Sequence, residues 1–506
     1  MSASTVQLNE QQLDEKLAQL ERERTWSPRL ISKLEAFISS AADEDLLRIN
    51  PIQFCQERSL NETEVVDLFL VATKAGLFTM DWHIICPHCG FIIDSLPRMK
   101  QVHSHHICPT CGAERDYCLD DYIQVAFTIS EVVRKIRYHH PESLEIDDLY
   151  LHYRLSKEVI SPLPEIPSWR AVIAHITTYL GYIQAGETVS VALELPPGVL
   201  RATDSRACIQ LCGTPAADDQ THVVPIQVAR GRFHSSDPIL QPRNQTRLSA
   251  TNEPVQFRHE LARDIPSGKV VIEIENQEST RCPLFIYNPG EAPTPVLELQ
   301  PGLNGKRLLS NQSFRDLFRS EVVCQSETLA IKDITFLFTD LKSSTSLYDQ
   351  IGDTNAYFLV LQHFDTLKRV IRNHNGAIVK TIGDAVMATF DNPIQATDAS
   401  LAMIKALSDF NSLSSQNLRL KIGIHRGHAM AVTLNDVIDY FGQNVNIAAR
   451  VQALANSNQI IVSSDVYETA GVSESLAQLR VDIEEVQVRG VAETIKVYRA
   501  STPYQS

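Results

Sequence analysis

The 506-residue sequence lacks an excess of positive charge: 61 acidic side chains outnumber 46 basic ones, and the formal net charge is −15. Non-specific binding to nucleic acid or to an anionic membrane requires a basic surface, so this charge disfavours both partners. The sequence also lacks any apolar run close to the roughly 20 residues that span a bilayer. Residues 1–10 carry no basic and apolar targeting signal. We therefore expect a cytoplasmic protein with no membrane span and no nucleic-acid partner.

The composition is otherwise that of a folded protein, with 43% hydrophobic and 21% charged residues. The length predicts several domains. Leu13, Leu17 and Leu20 recur at helical spacing, and Asn61 provides a cap signal for a second apolar helix. A plausible strand at residues 77–85 follows that helix, so the first 80 residues have a helical, winged-helix-like outline. Acidic side chains on the helix would repel phosphate, which favours a protein contact over DNA binding.

Two Cys-x-x-Cys pairs, each followed by glycine, characterise residues 81–120. Their four cysteines are Cys86, Cys89, Cys108 and Cys111. This spacing predicts a zinc ribbon in which four thiolates hold one structural Zn²⁺. Such a closed site stabilises a small region and catalyses nothing. Two disulfides are the alternative, but they would need an oxidising compartment.

Strand-like runs between Pro-rich and Gly-rich turns dominate residues 121–300, for example at 188–195 and 269–274. They predict an all-β sandwich or barrel. This region shows no cluster of catalytic residue types, so we interpret it as a regulatory domain for an unknown ligand or protein. Residues 301–327 are predicted to be a linker with a connector helix at Ser313–Val323. That helix either transmits a rotation between domains or only packs.

Two aspartates mark strand ends in the last third of the chain. Asp340 ends the strand-like run that begins at Ile334, and Asp384 follows Gly383 in a hairpin turn, where we expect an exposed tip. A carboxylate followed by free backbone amides suits a divalent cation with bound phosphate. Asn446 and Arg450, four residues apart on a predicted helix, share one face and suit a sugar and its phosphate.

The segments Phe338–Thr345, Val379–Met387 and Asp439–Arg450 resemble the signature blocks of class III adenylyl/guanylyl cyclases, in order and at the expected separations. Three spaced blocks are a specific signal. The resemblance implies an α/β ferredoxin-like class III cyclase domain at 328–506, and thus a multidomain α+β protein. The layout as a whole more loosely resembles bacterial multidomain adenylate cyclases with an uncharacterised four-cysteine N-terminal region.

The resemblance also implies roles for individual residues. Asp340 and Asp384, with the backbone carbonyl of Leu341, match the ligands of two Mg²⁺ or Mn²⁺ ions per active site. Asn446 matches the residue that orients the ribose, and Arg450 matches the residue that stabilises charge at the α-phosphate. The family site forms between two catalytic domains, and one chain here holds both sets of residues, so a head-to-tail homodimer is implied.

The phosphate-binding residues depart from the family pattern at two positions. In the turn formed by Ser343, Ser344 and Thr345, Ser343 replaces the usual glycine. If that position needs a positive φ, serine costs on the order of 1 kcal/mol. Arg489 occupies the place of a triphosphate-binding lysine, and an arginine can also bind phosphate. We expect weaker triphosphate binding at most.

Lys380 and Asp439 match the family's base-selecting positions. A donor beside an acceptor complements the adenine edge, whereas the O6 atom of guanine would repel Asp439. Alternation predicts that Lys380 shares a strand face with Ile378 and Ile382. The sequence therefore predicts an adenylate cyclase that binds ATP. Guanylate cyclase and a catalytically silent nucleotide-sensing interaction protein are the alternatives.

Overall fold

The computed structural model describes residues 7–160, 169–203, 208–217, 220–236, 240–248, 254–288, 298–342, 352–413, 417–487 and 494–501. These residues build an N-terminal region of helices and short strands, a β-rich middle region and a C-terminal α/β region. Across the described ranges, no helix combines the length and the apolar character that a membrane span needs.

The N-terminal region begins with four helices, α1 (Glu10–Glu23), α2 (Leu30–Ser40), α3 (Pro51–Arg58) and α4 (Glu62–Lys74). Leu13, Leu17 and Leu20 of α1 are buried, as their spacing predicted. The side chain of Asn61 accepts a hydrogen bond from the backbone N–H of Glu64 at 3.0 Å, which confirms the predicted cap of α4. Residues 65–72 of α4 are all buried, so this helix contacts protein along its length.

Seven strands belong to the same part of the chain. They are β1 (Gln7–Leu8), β2 (Phe78–Ile85), β3 (Ile92–Leu96), β4 (His105–Ile107), β5 (Ala113–Asp116), β6 (Ile123–Ile129) and β7 (Arg134–Lys135). A three-stranded sheet has the order β3-β2-β6, and every residue of β6 is buried. The domain boundary predicted at residue 121 therefore lies between β2 and β6, which pair with each other. Strand β6 is enclosed by the N-terminal helices. The winged-helix outline remains a prediction.

In the described part of the middle region there are two α-helices and eleven strands. They are α5 (Ile146–Leu149), β8 (Val159–Ile160), α6 (Trp169–Ile176), β9 (Thr177–Ile183), β10 (Thr188–Leu195), β11 (Gly198–Thr203), β12 (Cys208–Ala217), β13 (His222–Ala229), β14 (Arg232–His234), β15 (Gln241–Leu248), β16 (Pro254–Asn276), β17 (Cys282–Tyr287) and β18 (Glu298–Leu299). The long strand β16 pairs with β10, β12, β13, β15 and also β5. The sequence predicted two separate strands within the range of β16. The pairing of β16 with β5 joins the middle region to the cysteine region.

The connector consists of two short helices, α7 (Gly305–Leu309) and α8 (Gln312–Leu317). The single helix predicted over residues 313–323 is wrong, because α8 ends at Leu317. Phe318 follows α8 and stacks on Phe314 with ring centroids 5.6 Å apart. Glu321 then accepts a hydrogen bond from the backbone N–H of Met99 at 2.7 Å. These contacts hold the rest of the segment in a non-helical path against the N-terminal region.

The described residues of the C-terminal region form eight strands and five helices. They are β19 (Leu329–Leu341), α9 (Asp353–Asn373), β20 (Gly376–Ile382), β21 (Ala385–Phe390), α10 (Pro393–Leu413), β22 (Leu420–Leu434), β23 (Val437–Phe441), α11 (Gln443–Ala453), β24 (Gln459–Ser463), α12 (Ser464–Tyr467), α13 (Val472–Ser475), β25 (Arg480–Gln487) and β26 (Thr494–Ser501). One sheet has the order β20-β21-β19-β22-β24-β26-β25, and β23 pairs with β22. The predicted hairpin is confirmed by β20 and β21.

Different parts of the chain pack on the two faces of this sheet. Leu337 of β19 packs in a buried apolar cluster with residues of α9 and α10. Its neighbours Phe336 and Phe338 point the other way, into the cluster that contains Trp82 of β2 and Phe314 of α8. The N-terminal region and the connector therefore share one hydrophobic core with the C-terminal sheet.

A buried carboxylate links the same three parts. Asp67 of α4 is 3% exposed and accepts hydrogen bonds from Arg24 at 2.5 Å, Asn311 at 3.1 Å and Arg372 at 3.1 Å. Burial alone would raise the pKa of this carboxyl, but the Arg24 hydrogen bond and the nearby positive charges outweigh burial and lower the pKa. Asp67 therefore holds three elements against α4: the end of α1, the N-cap of α8, and helix α9.

We expect Asp67→Ala to lower the free energy of unfolding by about 3 kcal/mol, because it leaves two cations without their buried partner. Denaturant titration measures this change. The difference from the wild type should shrink as the pH falls below about 4, since the depressed pKa stabilises the fold only while Asp67 is ionised. Asp482→Ala, which removes a half-exposed partner of Arg480, is the control. An equal loss of unfolding free energy in Asp67→Ala and Asp482→Ala would contradict the stabilising role assigned to Asp67.

Candidate active site

The two predicted metal-binding aspartates lie at one end of the C-terminal sheet. In the antiparallel pairing of β19 with β21, Thr339 is opposite Val386. Asp340 lies one residue beyond Thr339, and Asp384 lies two residues before Val386, in the turn between β20 and β21. The register thus brings both aspartates to the same end of strands β19 and β21.

Asp384 is less exposed than expected. The sequence predicted an exposed tip, but the side chain is half-buried. Its Oδ2 atom is shielded from solvent and has no hydrogen-bond partner among the described residues. A shielded, unpartnered carboxylate oxygen is costly unless a cation or donor occupies the space beside it. Asp340 has a cationic neighbour in Lys421, with Nζ 3.4 Å from Oδ2. The pair fits a site for divalent cations, which prefer oxygen ligands.

Lys380 and Asp439 form an ion pair with 2.5 Å between Nζ and Oδ2. Asp439 is 6% exposed, whereas the Lys380 side chain is 40% exposed. The second oxygen of Asp439 accepts a hydrogen bond from the backbone N–H of Tyr440 at 2.8 Å. The pair therefore presents a partly accessible ammonium group beside a fixed carboxylate.

The prediction that Lys380 shares a strand face with Ile378 is wrong. The register of β20 with β21 shifts between these two residues: Ile378 is opposite Ala388, and Lys380 is opposite Met387. An extra residue in one strand is a β-bulge, which changes the direction of the side chains after it. The bulge turns Lys380 towards the face where Asp439 lies.

Asn446 and Arg450 lie on α11, which confirms the predicted helix. Asn446 is exposed and Arg450 is half-exposed. Among the described residues, neither side chain has a hydrogen-bond or ion-pair partner, so both are available to a ligand. Leu341, whose carbonyl was predicted as a metal ligand, is buried and pairs with Leu420 at the end of β19. Ser343, Ser344, Thr345 and Arg489 lie outside the described residues.

Two connector side chains reach these strands, and no pattern in the sequence indicated either of them. Gln312 accepts a hydrogen bond from the backbone N–H of Ile378 at 2.8 Å. Arg315 donates to the carbonyl of Ile438 and to the hydroxyl of Tyr440, each at 3.1 Å. Contacts between residues more than 60 positions apart have no local pattern, so alternation and spacing could not reveal them.

The four cysteines of the two knuckles also come together. Their sulfur atoms all lie within 4.8 Å of one another, with 3.6 Å between Cys86 and Cys111 and 3.6 Å between Cys89 and Cys108. A disulfide would need about 2.05 Å, whereas a tetrahedral ion with Zn–S bonds of about 2.3 Å places sulfurs about 3.8 Å apart. The sulfur atoms could therefore hold a tetrahedral metal ion.

The middle region binds the second knuckle directly. The hydroxyl of Tyr287 donates to the carbonyl of Thr110 at 2.8 Å, and the hydroxyl of Thr203 donates to the carbonyl of Pro109 at 2.8 Å. Both acceptors lie between Cys108 and its partner three residues later. The four-cysteine cluster is thus part of the contact between the N-terminal and middle regions.

Comparison with known proteins finds two matched parts of the chain. Residues 327–500 match the adenylate and guanylate cyclase catalytic domain, and residues 11–256 match a family of unknown function, DUF5939. An adenylate cyclase of Anabaena cylindrica is 30% identical over 181 residues, which are 33% of this chain and 36% of that protein. An adenylate cyclase of Neurospora crassa is 29% identical over 188 residues, which are 33% of this chain and 8% of that protein.

The chain thus spans little more than a third of the first of these relatives and far less of the second. The crystal structure of the adenylyl cyclase CyaB from P. aeruginosa aligns with 35% of this chain and 98% of its own, at 19% identity and a TM-score of 0.31. The family match covers Asp340, Asp384, the Lys380–Asp439 ion pair and helix α11. Residues 327–500 therefore belong to the family of adenylate and guanylate cyclase catalytic domains, as the three sequence blocks predicted.

Proposed function

We propose that the chain is an adenylate cyclase that converts ATP into 3′,5′-cyclic AMP and pyrophosphate. The observation that carries this proposal is the shielded, unpartnered Oδ2 of Asp384, at the same end of strands β19 and β21 as Asp340. A protein that only bound a nucleotide would not need both of these carboxylates. The family match and the relatives named adenylate cyclase support the reaction class.

Asp340, Asp384 and the carbonyl of Leu341 would hold two Mg²⁺ or Mn²⁺ ions. When bound, such ions supply Lewis acidity, which lowers the pKa of the ribose 3′-hydroxyl and offsets charge on the phosphates. Asn446 would orient the ribose by hydrogen bonds. Arg450 would stabilise the charge that develops at the α-phosphorus as the 3′-oxygen attacks and pyrophosphate leaves. Ser343, Ser344, Thr345 and Arg489 would bind the triphosphate.

The Lys380–Asp439 pair supports ATP over GTP as the substrate. Adenine offers an amino donor to Asp439 and an N1 acceptor to Lys380. Guanine would place its O6 acceptor against the buried carboxylate, and two acceptors that face each other repel. Because Asp439 is 6% exposed, solvent cannot relieve that repulsion. Guanylate cyclase activity is the less favoured alternative.

A homodimer through the catalytic domain is part of this proposal. Several large apolar side chains of this domain are at least 39% exposed in the single chain, which is typical of a surface that binds a partner. They are Tyr357, Phe358, Leu361, Ile382, Leu434, Val437, Phe441 and Ile483. Two copies related head to tail would form two equivalent sites.

We further propose that the N-terminal half regulates the catalytic domain and that the four cysteines hold one structural Zn²⁺. The sulfur separations support a tetrahedral ion. Tyr287 and Thr203 of the middle region bind the second knuckle, so the ion would influence the structure of the middle region through these contacts. The signal that the N-terminal half receives would be a ligand or protein of unidentified class.

The initial rate of cyclic nucleotide formation by the purified chain, with ATP or GTP and with Mn²⁺ or Mg²⁺, tests the reaction. We expect cyclic AMP from ATP. Asp384→Asn should lower its rate by roughly a thousand-fold, because a neutral amide binds a divalent cation poorly. The variant should retain the wild-type unfolding temperature and dimer. Asp436→Asn, which changes the exposed aspartate in the β22–β23 turn in the same way, is the matched control.

A full rate in Asp384→Asn would contradict the metal assignment. Faster formation of cyclic GMP would contradict the assigned base, and the absence of both products would contradict cyclase activity.

Metal analysis tests the zinc assignment. We expect about one zinc ion per purified chain and loss of that ion in Cys108→Ser, together with a fall of several degrees in the unfolding temperature. Cys324→Ser, which changes a thiol outside the four-cysteine cluster, should leave both quantities unchanged. Wild-type chain that contains no zinc after expression with the metal would contradict this prediction.

A further inference from the structure

The strand that carries Lys380 is held at its outer edge by the connector. β20 is the last strand of the sheet, so one row of its backbone groups has no strand partner. The N–H of Ile378, two residues before Lys380, donates to Oε1 of Gln312 at 2.8 Å. The amide of Gln312 is itself fixed, because its Nε2 donates to Asp316 at 3.0 Å. Gln312 is 4% exposed. Its side-chain oxygen takes the place of the strand partner that the N–H of Ile378 would otherwise have.

The strand that carries Asp439 is held by the next turn of the same helix. Arg315 donates through Nη1 to the carbonyl of Ile438 and through Nη2 to the hydroxyl of Tyr440, each at 3.1 Å. Its Nε donates to the carbonyl of Leu309 at 2.8 Å, which fixes the guanidinium plane within the connector. Asp439 lies between the two residues that Arg315 binds. A planar guanidinium can make such a forked contact, and a lysine cannot.

We propose that Gln312 and Arg315 are positioning residues for base selection: they hold β20 and β23 at the separation at which Lys380 and Asp439 meet. Neither residue touches the nucleotide in this proposal, which rests on the proposed cyclase function. Since Lys380 and Asp439 complement adenine only when they lie side by side, loosening of either strand weakens the preference for ATP over GTP.

The N-terminal region fixes the helix that carries both positioning residues. Asn311, the N-cap of α8, donates to Asp67 at 3.1 Å. Phe314, between Gln312 and Arg315 in the sequence, is fully buried and packs against Trp82 with ring centroids 6.4 Å apart. A shift of the N-terminal region would therefore move the contacts of α8 with β20 and β23. This gives the regulatory half a direct route to the base-selecting pair.

Steady-state kinetics and equilibrium binding of the full chain with ATP and with GTP test the proposal. We expect Arg315→Met to lower the ATP-to-GTP ratio of kcat/KM by roughly ten-fold, through a higher KM for ATP, because one charged fork is lost. Arg319→Met removes the same charge four residues later from an exposed side chain, and among the described residues that side chain has no hydrogen-bond partner. This control should stay within about two-fold of the wild type.

A milder variant covers the case in which Arg315→Met does not fold. Tyr440→Phe removes only the hydroxyl that Arg315 binds, and it should lower the same ratio by roughly three-fold. In the double variant, the effect of Tyr440→Phe should largely disappear, because its partner is already absent.

The possible outcomes distinguish a positioning role of Gln312 and Arg315 from a purely structural role. They also distinguish failure of this proposal from failure of the proposed cyclase reaction. An unchanged ATP-to-GTP ratio in Tyr440→Phe and in folded Arg315→Met would overturn the proposal. An equal fall in kcat for both nucleotides with a lower unfolding temperature would also overturn it, since only stability would then depend on the contact. If the wild type binds ATP in preference to GTP without turnover, the cyclase reaction fails, and the ratio of the two affinities decides on positioning. A wild type that binds neither nucleotide would overturn both proposals.

Discussion

The burial of one face of the catalytic sheet against the N-terminal region is the constraint on which the rest of this structure depends. Phe336 and Phe338 alternate with Leu337 along β19, so each face of the sheet needs an apolar cover. Helices α9 and α10 cover the face of Leu337. The other face is covered in part by side chains of the N-terminal region and the connector, including Trp82 and Phe314. Because apolar burial is the main stabilising contribution in folding, the catalytic domain and the N-terminal region stabilise each other.

Polar contacts give this shared core a fixed geometry. The backbone N–H of Leu119, just after the cysteine knuckles, donates to the carbonyl of Ala330 at 2.9 Å. The carboxylate of Asp120 accepts from the backbone N–H of Lys332 at 2.9 Å. The first catalytic strand therefore begins bonded to the four-cysteine region. A metal ion in that region would stabilise the starting point of the strand that carries Asp340.

The sequence was most informative where local patterns determine structure. Gly383 has a positive φ of 65°, which suits the turn that separates β20 from β21 and places Asp384 beside Asp340. The four-residue spacing of Asn446 and Arg450 predicted their common helix. The three sequence blocks identified the family because they combine many weak local signals in one order.

The features that the sequence missed all depend on tertiary contacts. A bulge before Lys380 inserts one residue into an otherwise regular alternation, and nothing in the sequence Ile378–Ile382 distinguishes it from a regular strand. The connector helix ends early because Glu321 binds the backbone N–H of Met99, more than 200 positions away in the sequence. The boundary predicted at residue 121 lies between β2 and β6, because the pairing of these two strands joins residues about 40 to 50 positions apart.

Native-state hydrogen exchange of the full chain at increasing denaturant tests the shared core most directly. We expect the slowest amides of α4 and those of β19 to open with the same free energy, because the two elements belong to one apolar cluster and unfold together. Amides of α4 that exchange through a lower-energy opening, while those of β19 remain protected, would contradict this expectation. That result would show that the catalytic sheet is stable without the N-terminal cover.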